Sequence, residues 1–320
     1  MANPMIPTLP TPPTLPSLPT TPAAKPLLTD DGLTLHVQHW PADPAAGAPR
    51  GVVVIVHGLG EHSGRYDGLA RRLAAQGFGV VGYDQRGHGR SPGARGRIAR
   101  DDSLLADLSR VIDLARKAHP GPLLLIGHSL GGLVAARFVA EGVQAAAAGW
   151  ARRVDALVLS SPAFDAGTSA LQRALLATVA RVLPDLAVGN GLQPAWLSRD
   201  ALVVAAYTAD PRVHDRIAGR LGRFIAAQGP ATIATAPRWK VPTLLMWAEA
   251  DRCVAPAGSA AFAAAAPPAI VTARSWPALR HEIFNEPEQA EVMGALDDWL
   301  ARVLPARGAP AGSLPQAGAA

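Results

Sequence analysis

Short, almost wholly apolar runs alternate with helical patterns along most of this chain, and that alternation leaves few folds open. Gly51–His57 (GVVVIVH) is rich in β-branched residues and lacks Asp, Glu, Lys and Arg. Phe78–Tyr83, Leu123–Ile126, Ala156–Leu159 and Thr243–Trp247 repeat the pattern, and Ile270–Ala273 is a weaker copy. Runs this short and this apolar suit strands covered on both faces, as in a parallel sheet. Helical patterns lie between them. Tyr66–Gln76 opens after Ser63, and Asp101–Ala118 keeps Leu104, Leu108, Val111, Ile112 and Ala115 on one stripe. A third helix follows Ser129, and two more span Gly258–Ala265 and Pro287–Val303. Such alternation predicts βαβ units and a doubly wound α/β sheet. The Leu27–Trp40 segment carries a DDG turn and alternates Leu33, Leu35 and Val37, so it reads as an antiparallel edge hairpin.

One segment breaks the rhythm. Residues 165–236 hold helical stretches at Ala170–Leu183 and Arg216–Gln228 around a loop-like LPDLAVGNGLQPAW, with no clear strand. Inserted between two strands, this segment reads as a helical cap over one end of the sheet. The predicted division is a core of 27–165 and 236–304, a cap of 166–235, and disordered tails at 1–26 and 305–320. The first tail is a Pro/Thr/Leu stretch whose prolines remove backbone donors and favour an extended, polyproline-like chain. It has no basic start and no continuous apolar stretch, so it makes a poor secretory signal. The expected location is cytoplasmic, with peripheral membrane contact through the cap left open. No charge-free apolar run reaches about 18 residues, which excludes an ordinary transmembrane helix. The single cysteine, Cys253, excludes an intramolecular disulfide and a multi-cysteine zinc site. The net charge of +5 comes from arginines scattered among acids, so no nucleic-acid partner is expected. The oligomeric state is left open.

The chemistry centres on Gly127-His128-Ser129-Leu130-Gly131, followed by Gly132. G-x-S-x-G alone is a weak motif. Here LLLIG precedes the serine and LVAARFVAEG follows, which sets it on a strand-to-helix turn. A serine there is held on a tight bend with its hydroxyl at the carboxyl edge of the sheet, and small neighbours let the backbones pass. The bland alternative is a glycine-rich connection. A serine hydroxyl needs a base with an orienting acid, and in this architecture they follow in the order Ser, acid, His. Asp251 lies just past the VPTLLMWAEAD strand, with Glu249 and Asp165 as rival acids. His281, in SWPALRHEIFNEPE, is the one histidine after residue 214. The oxyanion donors expected are the amides of Leu130 and of Leu59, the latter in a loop bent by Gly58 and Gly60. His57, with His62 or His88, could be read as a metal ligand, but the spacing matches no zinc pattern and favours a loop-bracing role.

Taken in order, HGLGEHSGRY, GYDQRGHGRSPG, GHSLGG, LMWAEADRCV and RHEIFNEPE resemble the monoacylglycerol lipase and lysophospholipase branch of the α/β-hydrolases, also filed with the serine aminopeptidases. The likeness runs from about Leu27 to Leu304. It implies a mostly parallel eight-stranded sheet with helices on both faces and a helical cap. It also implies cofactor-free, metal-free hydrolysis of a lipid ester, monoacylglycerol above all. Carried over, Ser129 is the nucleophile, His281 the general base and Asp251 the orienting acid, with the Leu59 and Leu130 amides as oxyanion hole. Glu61 and Arg65 map to positions near the substrate's polar head, against the alternative that they brace their loop against the cap. Asp84, Arg86, His88 and Ser91 match a motif of loop architecture. A second histidine that some members carry three residues after the catalytic one is Phe284 here. Lysophospholipase and general carboxylesterase activity stay open, as does, more remotely, a non-catalytic ligand receptor.

Overall fold

The computed structural model describes residues 26–119, 121–143, 147–167, 178 and 180–305. The β-branched run Gly51–Val56 forms a central strand, β4, with every residue buried. Its side chains alternate between two cores, as a period of two requires. Val52, Val54 and Val56 face a cluster with Leu104, Leu108 and Leu133. Val53 and Ile55 face a second cluster with Leu69, Leu296 and Trp299. Each such buried Val or Leu is worth roughly 1.5–3 kcal/mol, so both faces need helices. Before β4 come β1 (Leu27–Leu28), β2 (Thr34–Leu35) and β3 (Val37–Trp40), and after it β5 (Phe78–Tyr83), β6 (Leu123–His128) and β7 (Ala156–Ser160). Then follow β8 (Ala187–Gly189), β9 (Arg216–Ala218), β10 (Thr243–Ala248) and β11 (Val271–Trp276). The main sheet has the order β11-β10-β7-β6-β4-β5-β3. All its pairings are parallel except β3 with β5.

The helices that match the predicted patterns are α1 (Asp67–Ala75), α2 (Ser103–Ala118), α3 (Leu130–Ala140), α6 (Pro256–Ala265) and α7 (Gln289–Val303); α4 (Ala201–Ala209) and α5 (Gly219–Ile233) belong to the insertion. Residues of α1 and α7 fill one core and residues of α2, α3 and α6 the other.

The α/β-hydrolase architecture stands as predicted, with two corrections of detail. The main sheet has seven strands rather than eight. β1 and β2 pair only with each other, Leu27 opposite Leu35. The break falls at His36, whose amide donates to the Ser91 hydroxyl at 2.9 Å rather than to a strand. The insertion also holds strands where none is legible. Residues Arg216–Ala218 are extended, not the start of a helix, and pair with Ala187–Gly189. The Ala218 amide donates to the Gly96 carbonyl at 2.9 Å, a contact outside the insertion that draws this stretch out straight. The helix α4 was also unforeseen; it starts where Asp200 Oδ1 accepts from the Leu202 amide. Most of the predicted helix at 170–183, and the two predicted tails apart from Pro26 and Pro305, lie outside the described residues.

Candidate active site

The strand β6 ends at His128 and α3 begins at Leu130, so Ser129 alone makes the turn. Its backbone sits at φ 54°, ψ −121°, a region costing a non-glycine residue about 1–3 kcal/mol. Neighbouring backbones impose it. A Cβ on Gly131 would stand 2.1 Å from the Val56 carbonyl oxygen, and one on Gly127 would stand 2.4 Å from the Gly131 oxygen. The Ser129 amide donates to Ser160 at 3.0 Å, while its carbonyl accepts from Leu133 and Ala163. The crossing is thereby pinned on both sides.

Asp251 follows β10. Its Oδ1 accepts from the amides of Cys253 (2.7 Å) and Val254 (3.1 Å), which fixes the turn, and its Oδ2 meets His281 Nδ1 at 2.6 Å. The rival acids are engaged elsewhere: Glu249 accepts from the Ser275 hydroxyl and Asp165 from the Gly167 amide. His281 is buried, and its ring centroid lies 4.6 Å from that of His128, the residue before Ser129. The structure therefore gathers the three predicted residues at the carboxyl edge of the sheet. The Ser129 hydroxyl makes no hydrogen bond among the described residues, a looseness usual before substrate binds. Burial disfavours protonation of His281, but the Asp251 carboxylate outweighs it and lifts the ring above its ordinary 6.5. His128 goes the other way. Burial, with the His281 charge adding to it, lowers it to about 4, so it stacks as a neutral ring.

The loop after β4 carries Leu59. Gly60, at φ 79°, passes so near the insertion that a Cβ would lie 2.3 Å from the His214 oxygen. Neither the Leu59 nor the Leu130 amide has a protein acceptor among the described residues, so both donors are free. His57 braces the loop. Its Nδ1 donates to the Gly58 carbonyl (2.7 Å), which leaves Nε2 to accept from the Gln85 amide (2.9 Å). His62 Nε2 donates to Asp210 of the insertion, and His88 Nδ1 to the Arg86 carbonyl. Asp84 accepts from Ser63 and from the Arg90 amide, Arg86 pairs with Asp107 and Asp31, and Ser91 donates to the Asp84 carbonyl. These are the contacts of loop architecture.

Glu61 and Arg65 bond to each other and to their own loop. Glu61 Oε1 accepts from the Gly58 amide (2.6 Å) and the Tyr66 hydroxyl (2.7 Å), and Oε2 from Arg65 (2.6 Å). Burial pushes the Glu61 carboxyl up, but Arg65 and the nearby histidines bring it down to about 2. The Arg65 guanidinium lies 4.8 Å from the Tyr207 ring of α4. Among the described residues, the one group of metal-type ligands is Asp251, Cys253 and His281, within 4.8 Å of one another. Its carboxylate and Nδ1 already share a proton, and burial holds the Cys253 thiol well above its usual range, away from the thiolate a metal needs.

A family profile described as serine aminopeptidase, S33, matches residues 47–288, well over half of the chain and all three residues of the cluster. The chain belongs to this family of α/β-hydrolases. Among its relatives, a monoacylglycerol lipase of Mycolicibacterium smegmatis is 35% identical over 256 residues, 79% of this chain and 88% of that protein. A phospholipase of Bacillus subtilis is 31% identical over 259 residues, 80% and 95% of the two chains. The crystal structure of a monoacylglycerol lipase from Paleococcus ferrophilus superposes with a TM-score of 0.72 at 35% identity, covering 83% of this chain and 98% of the other. Phe284, at the position of the family's second histidine, is buried among core residues with Ile283 and Leu296. Glu282, within RHEIFNEPE, carries no signal of its own beside the histidine before it, yet it is buried and paired with Arg65.

Proposed function

We propose that this chain is a serine hydrolase that cleaves the ester of a single-chain lipid, monoacylglycerol above all, into glycerol and a fatty acid. The supporting observation is an elbow serine at φ 54° whose neighbour His128 stacks 4.6 Å from His281, the histidine whose Nδ1 lies 2.6 Å from a buried carboxylate. Ser129 Oγ attacks the acyl carbonyl as His281 Nε2 takes its proton. Asp251 keeps the proton on Nδ1 and stabilises the imidazolium that forms. The Leu59 and Leu130 amides donate to the oxyanion, where one such donor is typically worth ~3 kcal/mol. The intermediate collapses, and the departing glycerol oxygen receives the proton from His281. Water, deprotonated by the same ring, then splits the acyl-enzyme and frees the fatty acid.

In this reading residues 27–165 and 236–304 are the catalytic core, and 166–235 the cap that receives the acyl chain. The cap exposes Val182, Leu183, Leu186, Val188 and Leu202, an apolar surface suited to drawing substrate from a lipid surface. A second reading, phospholipid or lysophospholipid hydrolysis by the same residues, is favoured by the likeness to the Bacillus phospholipase. Release of fatty acid from monoacylglycerols, lysophospholipids and short 4-nitrophenyl esters separates the two. Wild type should prefer monoacylglycerol, and Ser129→Ala should lose at least about 10⁴-fold in kcat. Undiminished turnover by the alanine variant overturns the mechanism; faster turnover of lysophospholipid hands the substrate to the second reading.

A further inference from the structure

The residue after His281 is held as firmly as His281 itself. Glu282 Oε2 accepts from Arg65 Nη2 at 2.8 Å while Oε1 accepts from Nη1, a bidentate pair between side chains that are 4% and 12% exposed. Oε2 also accepts from Asn285 Nδ2 at 2.8 Å, and the Glu282 amide donates to the Leu197 carbonyl at 2.8 Å. Arg65 Nη1 reaches on to Glu61 Oε2, and Glu61 Oε1 takes the Gly58 amide. A continuous chain of charge-assisted bonds therefore runs from the residue beside the base to the residue beside the Leu59 amide. Such bonds are short and directional, and a guanidinium offers a fixed fork that a lysine cannot reproduce.

We propose that Glu282 is a positioning residue which, through Arg65 and Glu61, locks the His281 loop and the Gly58–Leu59 loop into one register. This inference rests on the proposed function, since it assigns the base to one loop and an oxyanion donor to the other. Two loops that arrive from distant parts of the chain must meet the same reacting carbon. A misplacement of about 1 Å can cost on the order of a hundredfold in rate. The chain also leaves a charge behind. One guanidinium faces two carboxylates, so a net negative charge sits beside the ring that becomes positive during attack. Both Glu282 and Glu61 raise the proton affinity of His281.

The test is Glu282→Gln, which keeps the shape and removes the charge. The expected result is a fall in kcat of roughly ten- to a hundredfold, little change in KM, and an acid limb of kcat/KM displaced to lower pH. Arg65→Lys should slow the reaction comparably, and the Glu282→Gln, Glu61→Gln pair should be non-additive, as links of one network are. Glu282→Asp should regain part of the loss. Unfolding of Glu282→Gln, read by circular dichroism, transfers the test to Arg65→Lys, for which unaltered kcat and pH profile refute the proposal. Unaltered kcat, KM and pH profile in a folded Glu282→Gln likewise refute it. If Ser129→Ala is inactive in the same assay, the proposed function survives that refutation; if Ser129→Ala is active, the function itself has failed.

Discussion

At the scale of single residues, the account depends on how His281 is tuned. Its ring is buried, which alone would favour the neutral form, yet Asp251 at 2.6 Å more than compensates. The base works only when neutral. Activity should therefore rise with pH through an apparent pKa above 6.5, and be lost below it. A pH series of kcat/KM on a soluble ester checks the sign; an acid limb centred below 6.5 contradicts it. Asp251→Asn should cut kcat by about 10⁴-fold, because the amide no longer holds the productive tautomer, and should move the limb down. Much of this scale was legible. Chain order, with a serine at an elbow, an acid after a late strand and a last histidine, was enough to choose Ser129, Asp251 and His281 over Glu249 and Asp165. Burial and pairing were not legible. The letters left Glu61 and Arg65 open between head-group contact and loop bracing, and they do not announce the bonds to Gly58, Tyr66 and Glu282.

At the scale of elements, the elbow depends on absent side chains. Gly131 lies against two carbonyls, with a prospective Cβ 2.1 Å from Val56 O and 2.4 Å from His57 O. Gly131→Ala should push α3 away from β4, destabilise the fold by about 1–3 kcal/mol and carry Ser129 off its φ of 54°. A lowered Tm together with loss of turnover is the expected outcome; a variant with native Tm and native kcat contradicts the packing argument. The inner strands β4, β5, β6, β7 and β10 were legible because each is mostly apolar and buried on both faces, whereas β11, with three exposed residues of six, left only a weaker trace. β8 and β9 were not. Three residues carry too little pattern to announce a strand, and here the pairing is imposed by tertiary contacts such as Ala218 with Gly96. The helix α4 was missed for a related reason. Its sequence, ALVVAAYTA, is apolar on nearly every side, so no polar face sets off the half-buried side of Val203, Val204 and Tyr207 and the stripe by which helices are read is missing.

At the scale of the whole molecule, two cores and a seven-stranded sheet bring loops from four distant stretches of sequence to one edge. The insertion is fastened there from both sides, by His62 to Asp210 and by Arg199 to Glu286. No helix among the described residues is long and apolar enough to cross a membrane. Exposed Leu186 and Leu202 should nevertheless favour a lipid surface. The wild type should cosediment with phosphatidylglycerol vesicles, and Leu186→Asp with Leu202→Asp should weaken that binding; equal recovery of both proteins contradicts a docking role for these side chains. The central claim is that Ser129 is a nucleophile activated from across the sheet edge. Reaction with a fluorophosphonate, followed by peptide mass spectrometry, tests it most directly. The account predicts one phosphonyl adduct per chain, on Ser129, formed far more slowly in His281→Ala; an unlabelled chain, or an adduct on another residue, would contradict it.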